Sequence, residues 1–221
     1  MFINRALTGS IAALAIAFSS MTAVADPAAS LALLQQGVLS KGPNGEDPSP
    51  AADLSLNAAE IAKIKAMNAT AAIVMHYGGN DWSRAQIEGL KFQFAEMGVE
   101  VIAVTDAGFK PEKQVADIET VMARQPDIIV SVPTDPAATA AAYKAAAAAG
   151  VKIVFMENTP PGMTAGVDYI SVVSADNYGN GVAAAHLMAQ ALGEEGGQIG
   201  LVFHAADFFV TRQRYEAFKV T

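Results

Sequence analysis

Short apolar runs recur along the chain at Ala71–Met75, Val99–Val104, Asp127–Val132, Lys152–Phe155, Tyr169–Val173 and Gln198–Phe203. Each is brief, rich in β-branched residues and mostly without polar alternation, as expected of strands buried on both faces of a parallel sheet. Between the first two runs, Ile87, Leu90, Phe94 and Met97 are spaced three, four and three residues apart. That spacing lays one apolar stripe along one side of a helix. Ser83 with Gln86 has the form of a capping box at its start, and Gly98 marks its stop. Asp135-Pro136 opens a second, alanine-rich helix that runs to Gly150, with proline in the first turn where its missing N–H is harmless. The runs start 28, 28, 25, 17 and 29 residues apart, and a strand-plus-helix unit takes roughly 25 to 30 residues. The interval of 17 has no room for a helix, so the chain must loop from Phe155 to Tyr169 without a helical layer. The pattern predicts an α/β protein: a Rossmann-like parallel-sheet lobe over 70–175, then the beginning of a second α/β lobe, one strand and two helices, over 176–221.

The first 25 residues differ in kind. Arg5 is their only charge, Ile11–Phe18 is unbroken apolar sequence, and Ala23-Val24-Ala25 is a small-x-small site, the layout of a secretory signal peptide. A spanning helix needs about 20 predominantly apolar residues, and Thr8, Gly9, Ser10, Ser19 and Ser20 interrupt any such stretch. Export to the periplasm is expected, as an unfolded chain because no twin arginine is present. Residues 26–69 read as an N-terminal extension or linker. In it, Ser40–Pro50 is too rich in Gly, Pro, Asp and Ser for a regular element, Leu31–Leu39 predicts a weak helix, and Asn57 with Glu60 predicts a capping box opening a helix over Ala58–Met67.

Composition removes several function classes. With 52% hydrophobic and 16% charged residues the chain has ample apolar surface to offset the entropy of ordering, which excludes a disordered protein. A net charge of -8 without a Lys/Arg cluster argues against nucleic acid, whose phosphates demand cationic neutralisation. With no cysteine there is no disulfide framework, no thiolate metal site and no lipid anchor through an N-terminal cysteine.

In an open parallel sheet a ligand sits beyond the carboxyl ends of the strands, here the loops 76–82, 106–111, 133–135, 156–162 and 204–210. The first, His-Tyr-Gly-Gly-Asn-Asp-Trp, contains the only Trp of the chain beside Asn80 and His76. An aromatic face next to hydrogen-bonding side chains suits a molecule with an apolar face and a polar edge, such as a sugar ring. Trp82 either presents that face or packs under its own helix, and His76 either touches a ligand or is a satisfied structural histidine. Glu157 follows an apolar run, where a carboxylate must be exposed or paired; it either accepts hydroxyl hydrogen bonds or caps a turn. Arg212 and Arg214 lie inside the final helix, solvated unless the crossover aims them back at the first lobe.

Signs of catalysis are few. His76, His186 and His204 are far apart, and His204-x-x-Asp207 lacks the further ligands a metal requires. Gly179-x-Gly181-x-x-Ala184 follows a strand and opens a helix, loosely matching a dinucleotide fingerprint. Against that reading stand Asn177 and Tyr178 in place of a tight glycine turn, His204 rather than an acid after the next strand, and export away from cytoplasmic NAD.

The segments AAIVMHYGGNDWSRAQIEGLKFQF, DIETVMARQPDIIVSVPTDPAATAAAYKAAAAAGVKIVFMEN, YISVVSADNYGNGVAAAHLMA and RQRYEAF, following a signal peptide in that order, resemble a periplasmic sugar-binding protein of ABC transporters, of the ribose- and galactose-binding type. The likeness covers residues 70–221. It implies the type I periplasmic binding protein fold, a monomer of two hinged Rossmann-like lobes that closes on a sugar or polyol and presents it to an ABC permease in the inner membrane. No cofactor, catalytic residue, metal or nucleic acid is implied. The resemblance carries ligand-binding roles to His76, Asn80, Trp82, Glu157, Asn158 and Arg214. Glu157 stands where the family usually has Asp, and Asn158 departs from a frequent Asp-Arg pair, which widens the ligand class to polyols and modified sugars. Family members run about a hundred residues further, so the chain reads as C-terminally truncated. The same fold also serves sensors that present a bound ligand to a chemoreceptor or kinase, and a secreted NAD-dependent oxidoreductase is the enzymatic alternative.

Overall fold

A computed structural model describes residues 26–204 and 208–221; the expected export leader, residues 1–25, lies outside them. Helix α1 (Pro27–Leu34), a short 3-10 turn (Ala51–Leu54) and α2 (Ala58–Met67) precede β1 (Thr70–Met75). Then follow α3 (Asp81–Glu96), β2 (Glu100–Asp106), α4 (Pro111–Met122), β3 (Ile128–Ser131), α5 (Pro136–Ala148) and β4 (Lys152–Met156). The chain ends with β5 (Ser171–Val173), α6 (Asn177–Leu192) and α7 (Phe209–Val220). The five strands form one parallel sheet in the order β2-β1-β3-β4-β5.

Strand β1 lies inside the sheet and is covered on both sides, so Ala71 to Met75 are all fully buried. Successive side chains point to opposite faces. Ala71, Ile73 and Met75 meet Phe94 of α3 and Val99, with Ile64 of α2 at the margin. Ala72 and Val74 meet Ile118 and Val121 of α4 and Tyr143 and Ala146 of α5. Each large aliphatic side chain buried this way contributes about 1.5–3 kcal/mol. Polar groups inside the second layer are paired. The Ser131 hydroxyl donates to the Val74 carbonyl at 2.7 Å and shares a hydrogen bond with the Tyr143 hydroxyl. Gln114, fully buried, donates to Val132 O and accepts from Thr134 N, which fixes the loop leaving β3.

Helix ends follow local chemistry with two departures from expectation. Asn57 and Glu60 form the reciprocal capping box, and Asp135 caps α5 with Pro136 behind it. Helix α3, however, starts at Asp81, capped by Asn80. Ser83 lies inside the first turn, so the predicted Ser83–Gln86 box does not form. The first helix is Pro27–Leu34, capped by Asp26, rather than 31–39, because Pro27 and the Asp26 carboxylate define an earlier start. Strands β4 and β5 are joined by 157–170 without a helix, pinned by the Asp168 carboxylate on Thr164 N.

Two helices and no strand follow β5 among the described residues. The sixth predicted strand, Gln198–Phe203, is irregular and exposed, with Val202 fully so. Apolar β-branched composition alone does not make a strand; its backbone groups need a neighbouring strand, and no other strand of the sheet runs beside this segment. Helix α6 packs on α7 and on α1, and none of these three packs on any strand or other helix described. They form a separate helical unit. Gly181 makes this possible: a Cβ there would strike the Arg214 carbonyl and Ala217 of α7.

Candidate functional site

Because all five strands run the same way, residues 76, 107, 132, 157 and 174 leave the sheet along one edge. Two groups of side chains meet there. The first is aromatic. His76 contacts Trp82 and Phe109 edge-on, with ring centroids 6.2 and 5.1 Å away. Tyr77 stacks on Phe109, which also touches His204, and His204 stacks on Phe208. This chain of rings crosses from the β1 and β2 loops to the segment entering α7. Phe109 holds φ 60°, a left-handed backbone rare for a bulky residue, and its N–H donates to the His76 carbonyl at 2.8 Å. Gly78 lets the β1 loop pass the Asp106 carboxylate, which a Cβ would approach to 2.9 Å. Burial lowers the His76 imidazole from 6.5 to about 4, opposed by Asp106 and reinforced by His204.

The second group spans the passage from β5 into α6. Glu157 also sits in the left-handed region, φ 63°. Its carboxylate accepts from Ser174 Oγ at 3.0 Å and, more weakly, from Asn177 Nδ2 at 3.4 Å. Asn177, wholly buried, donates to Ser174 Oγ at 2.7 Å and accepts from Arg214 Nε at 2.7 Å. Glu157 of the sheet unit and Arg214 of α7 are thereby linked through one amide. Only β3 lies between β1 and β4, the strands that lead into the two groups, so those strands stand about 10 Å apart, two strand spacings.

The sequence-predicted residues divide accordingly. His76 and Trp82 come together, and Trp82 is 43% exposed rather than buried under its helix. Glu157 and Arg214 join through Asn177. Asn80 spends its side-chain carbonyl on the α3 cap, 2.8 Å from Ser83 N. Asn158 is buried, and its Oδ1 has no hydrogen-bond partner among the described residues. Sequence reasoning passed over Asn177, Ser174 and Phe109. A usable signal for the first was an Asp-Asn pair at the mouth of a predicted helix, where one side chain caps and the next points inward.

Six buried side-chain polar atoms have no hydrogen-bond partner among the described residues: His76 Nδ1, Ser83 Oγ, Thr105 Oγ1, Thr134 Oγ1, Asn158 Oδ1 and Thr159 Oγ1. All belong to strand ends, loops or a first helical turn on the carboxyl edge of the sheet. Buried polar atoms are normally satisfied, and these exceptions concentrate on that one edge.

The glycines of the dinucleotide-like motif do other work. The Asp176 carboxylate caps α6, accepting from Gly179 N at 2.9 Å. A negative charge therefore occupies the helix N-terminus that a pyrophosphate would need, while Gly181 is covered by α7.

Solved structures share this architecture. An ABC sugar transporter subunit from Rhodobacter sphaeroides superposes with TM-score 0.61 at 22% identity over 69% of this chain and 51% of its own. An ABC transporter solute binding protein from Mycobacterium smegmatis, with bound glycerol, gives 0.62 at 24% over 69% and 51%. The Caulobacter myo-inositol binding protein, bound to myo-inositol, gives 0.55 at 18% over 69% and 50%. At such identities the likeness is one of fold, the type I periplasmic binding protein fold, and the chain spans about half the length of these proteins. No curated protein sequence matches it. Residues 71–221 match the family described as periplasmic binding protein domain, a family of binding proteins rather than enzymes, and the chain belongs to that family.

Proposed function

We propose that the protein is the periplasmic solute-binding component of an ABC importer, holding a sugar or polyol between the sheet unit and the α6/α7 unit and delivering it to a permease. The observation that carries this reading is the set of unpartnered polar atoms on the carboxyl edge of the sheet, flanked by an exposed Trp82 and by the linked Glu157 and Arg214. Trp82 and Phe109 offer apolar faces to a ring. Glu157 accepts from hydroxyls, Arg214 donates to them, and His76, Asn80 and Asn158 supply neutral hydrogen-bonding edges. His76 suits this task uncharged, as its depressed value keeps it at neutral pH.

The test uses the single Trp of the chain. Protein purified from its own periplasm is titrated with arabinose, D-allose, glucose and myo-inositol while Trp82 fluorescence is followed, and native mass spectrometry reports chain mass, oligomeric state and retained small molecules. Saturable quenching by one compound at micromolar concentration, about -8 kcal/mol, with an adduct of sugar or polyol mass on a single chain, is expected. Trp82→Ala should weaken binding by at least tenfold while leaving the urea midpoint nearly unchanged. No saturable response and no adduct of that class would sink the proposal.

A further inference from the structure

The segment before β1 is not a free leader into the sheet. Residues 39–41 lie against the first turns of α6 and α7, more than 130 positions away in sequence. Leu39 N and Ser40 N donate to the two oxygens of Asp176 at 3.0 and 2.8 Å. In return Ser40 Oγ, nearly buried, accepts from Tyr178 N at 2.9 Å, and Gln213 Nε2 donates to the Lys41 carbonyl at 3.1 Å. Helix α1 packs on α6 and on no other element described. Further along, Asn44 reaches back to the Tyr169 hydroxyl at 3.4 Å, on the sheet side of the passage from β5 to α6.

From this we infer that residues 26–47 act as a strap: they belong mechanically to the α6/α7 unit and bridge it to the sheet unit across the β5–α6 crossover. The two units share no helix or strand packing. Their covalent link is Ser174–Asp176, and the strap adds a second link in parallel, through the exposed segment 48–57 into α2. Asp176 is the buckle. One carboxylate caps α6 through Gly179 N and also accepts both strap amides, so the strap is fastened at the pivot itself. The next residue, Asn177, links Glu157 to Arg214. Fastening the strap therefore restrains the angle at which the two units face each other.

Asp176→Asn loosens the buckle and keeps the cap. Its side-chain carbonyl still accepts from Gly179 N and Ser40 N, while an NH2 group replaces the oxygen facing Leu39 N. Ser40→Ala, which leaves Asp176 untouched, is the second variant. Residue-resolved amide exchange should show Leu39 and Ser40 protected in the wild type, with Leu39 exchanging about tenfold faster or more in either variant and α6 amides from Ala183 onward unchanged. The absence of native cysteine allows one spin-label pair, Glu119→Cys on α4 and Gln190→Cys on α6. Its distance distribution should broaden when the strap is released. Strap amides exchanging at open-chain rates in the wild type, or an unchanged distribution in both variants, would overturn the inference.

Discussion

Gly181→Ala tests whether the contact of α6 with α7 is set by backbone proximity. A Cβ built at Gly181 falls 2.7 Å from the Ala217 Cβ and 3.1 Å from the Arg214 carbonyl carbon, and strikes the Arg214 carbonyl oxygen. Non-bonded carbons rest at about 3.5–4.0 Å, so α7 must retreat by about 1 Å. Neither obstacle is the far end of a flexible side chain, so the retreat must move backbone. Overpacking of this kind costs about 1–3 kcal/mol, and the backbone obstacle places it near the top of that range. Alanine returns about 0.8–1.0 kcal/mol of helix propensity. The net loss is about 2 kcal/mol, roughly a 30-fold change in an opening equilibrium. Because α1, α6 and α7 pack only on one another among the described elements, the loss should remain local. Amide exchange resolves it: α6 and α7 amides should lose about 30-fold protection while β1 and β3 amides hold theirs. Unchanged or increased protection in α6 would mean that propensity outweighs packing, and that the close approach is not what holds the helices together.

Other expectations follow from buried or capped groups. Tyr143→Phe removes the donor to the Ser131 oxygen, whose own proton serves the Val74 carbonyl; a loss of about 1–1.5 kcal/mol is expected in urea unfolding, and an unchanged midpoint would show that the Ser131 oxygen is otherwise satisfied. The His76 imidazole, lowered from 6.5 to about 4 by burial, contributes stability that is fully present above pH 6.5 and declines as pH falls toward 4, since the unfolded chain binds the extra proton across that window. An NMR titration should place its midpoint well below 6, and a midpoint near 6.5 would contradict the burial. Asp176 is partly buried, which raises its pKa, but hydrogen bonds from Leu39, Gly179 and Ser40 outweigh this and hold it below its ordinary 3.8. Its contribution is present above that ordinary value and is lost as pH falls through the depressed one, so the acid-induced drop in stability should be smaller in Asp176→Asn than in the wild type.

The sheet was legible because its strands carry their own signature. Ala71–Met75 and 153–156 are apolar on both faces, and the lengths between runs reveal where helices fit and where, between Met156 and Ser171, none does. The irregular Gln198–Phe203 has the same composition as those strands, but strand formation depends on a neighbour that composition does not report. Half of the site was legible for a similar reason. Trp82 and His76 are neighbours in sequence and remain neighbours in space. The link from Glu157 to Arg214 runs through Asn177, a residue without distinctive chemistry whose importance lies in being buried between two others. Ser40, inside a stretch that reads as loop, was invisible as an anchor because its partners lie at Asp176 and Tyr178.

The fastening of residues 39–41 to α6 also dictates an order of assembly. The part of this segment that is made early finds its partners only after another 130 or so residues have followed, whereas β1 through β4 can pair as each successive unit is completed. Closing so long a loop carries an entropic cost that rises as the logarithm of its length, and an already folded sheet shortens the effective span by holding β1 and β5 three strand positions apart. The earliest-synthesised helix described here thus belongs to the last stage of folding.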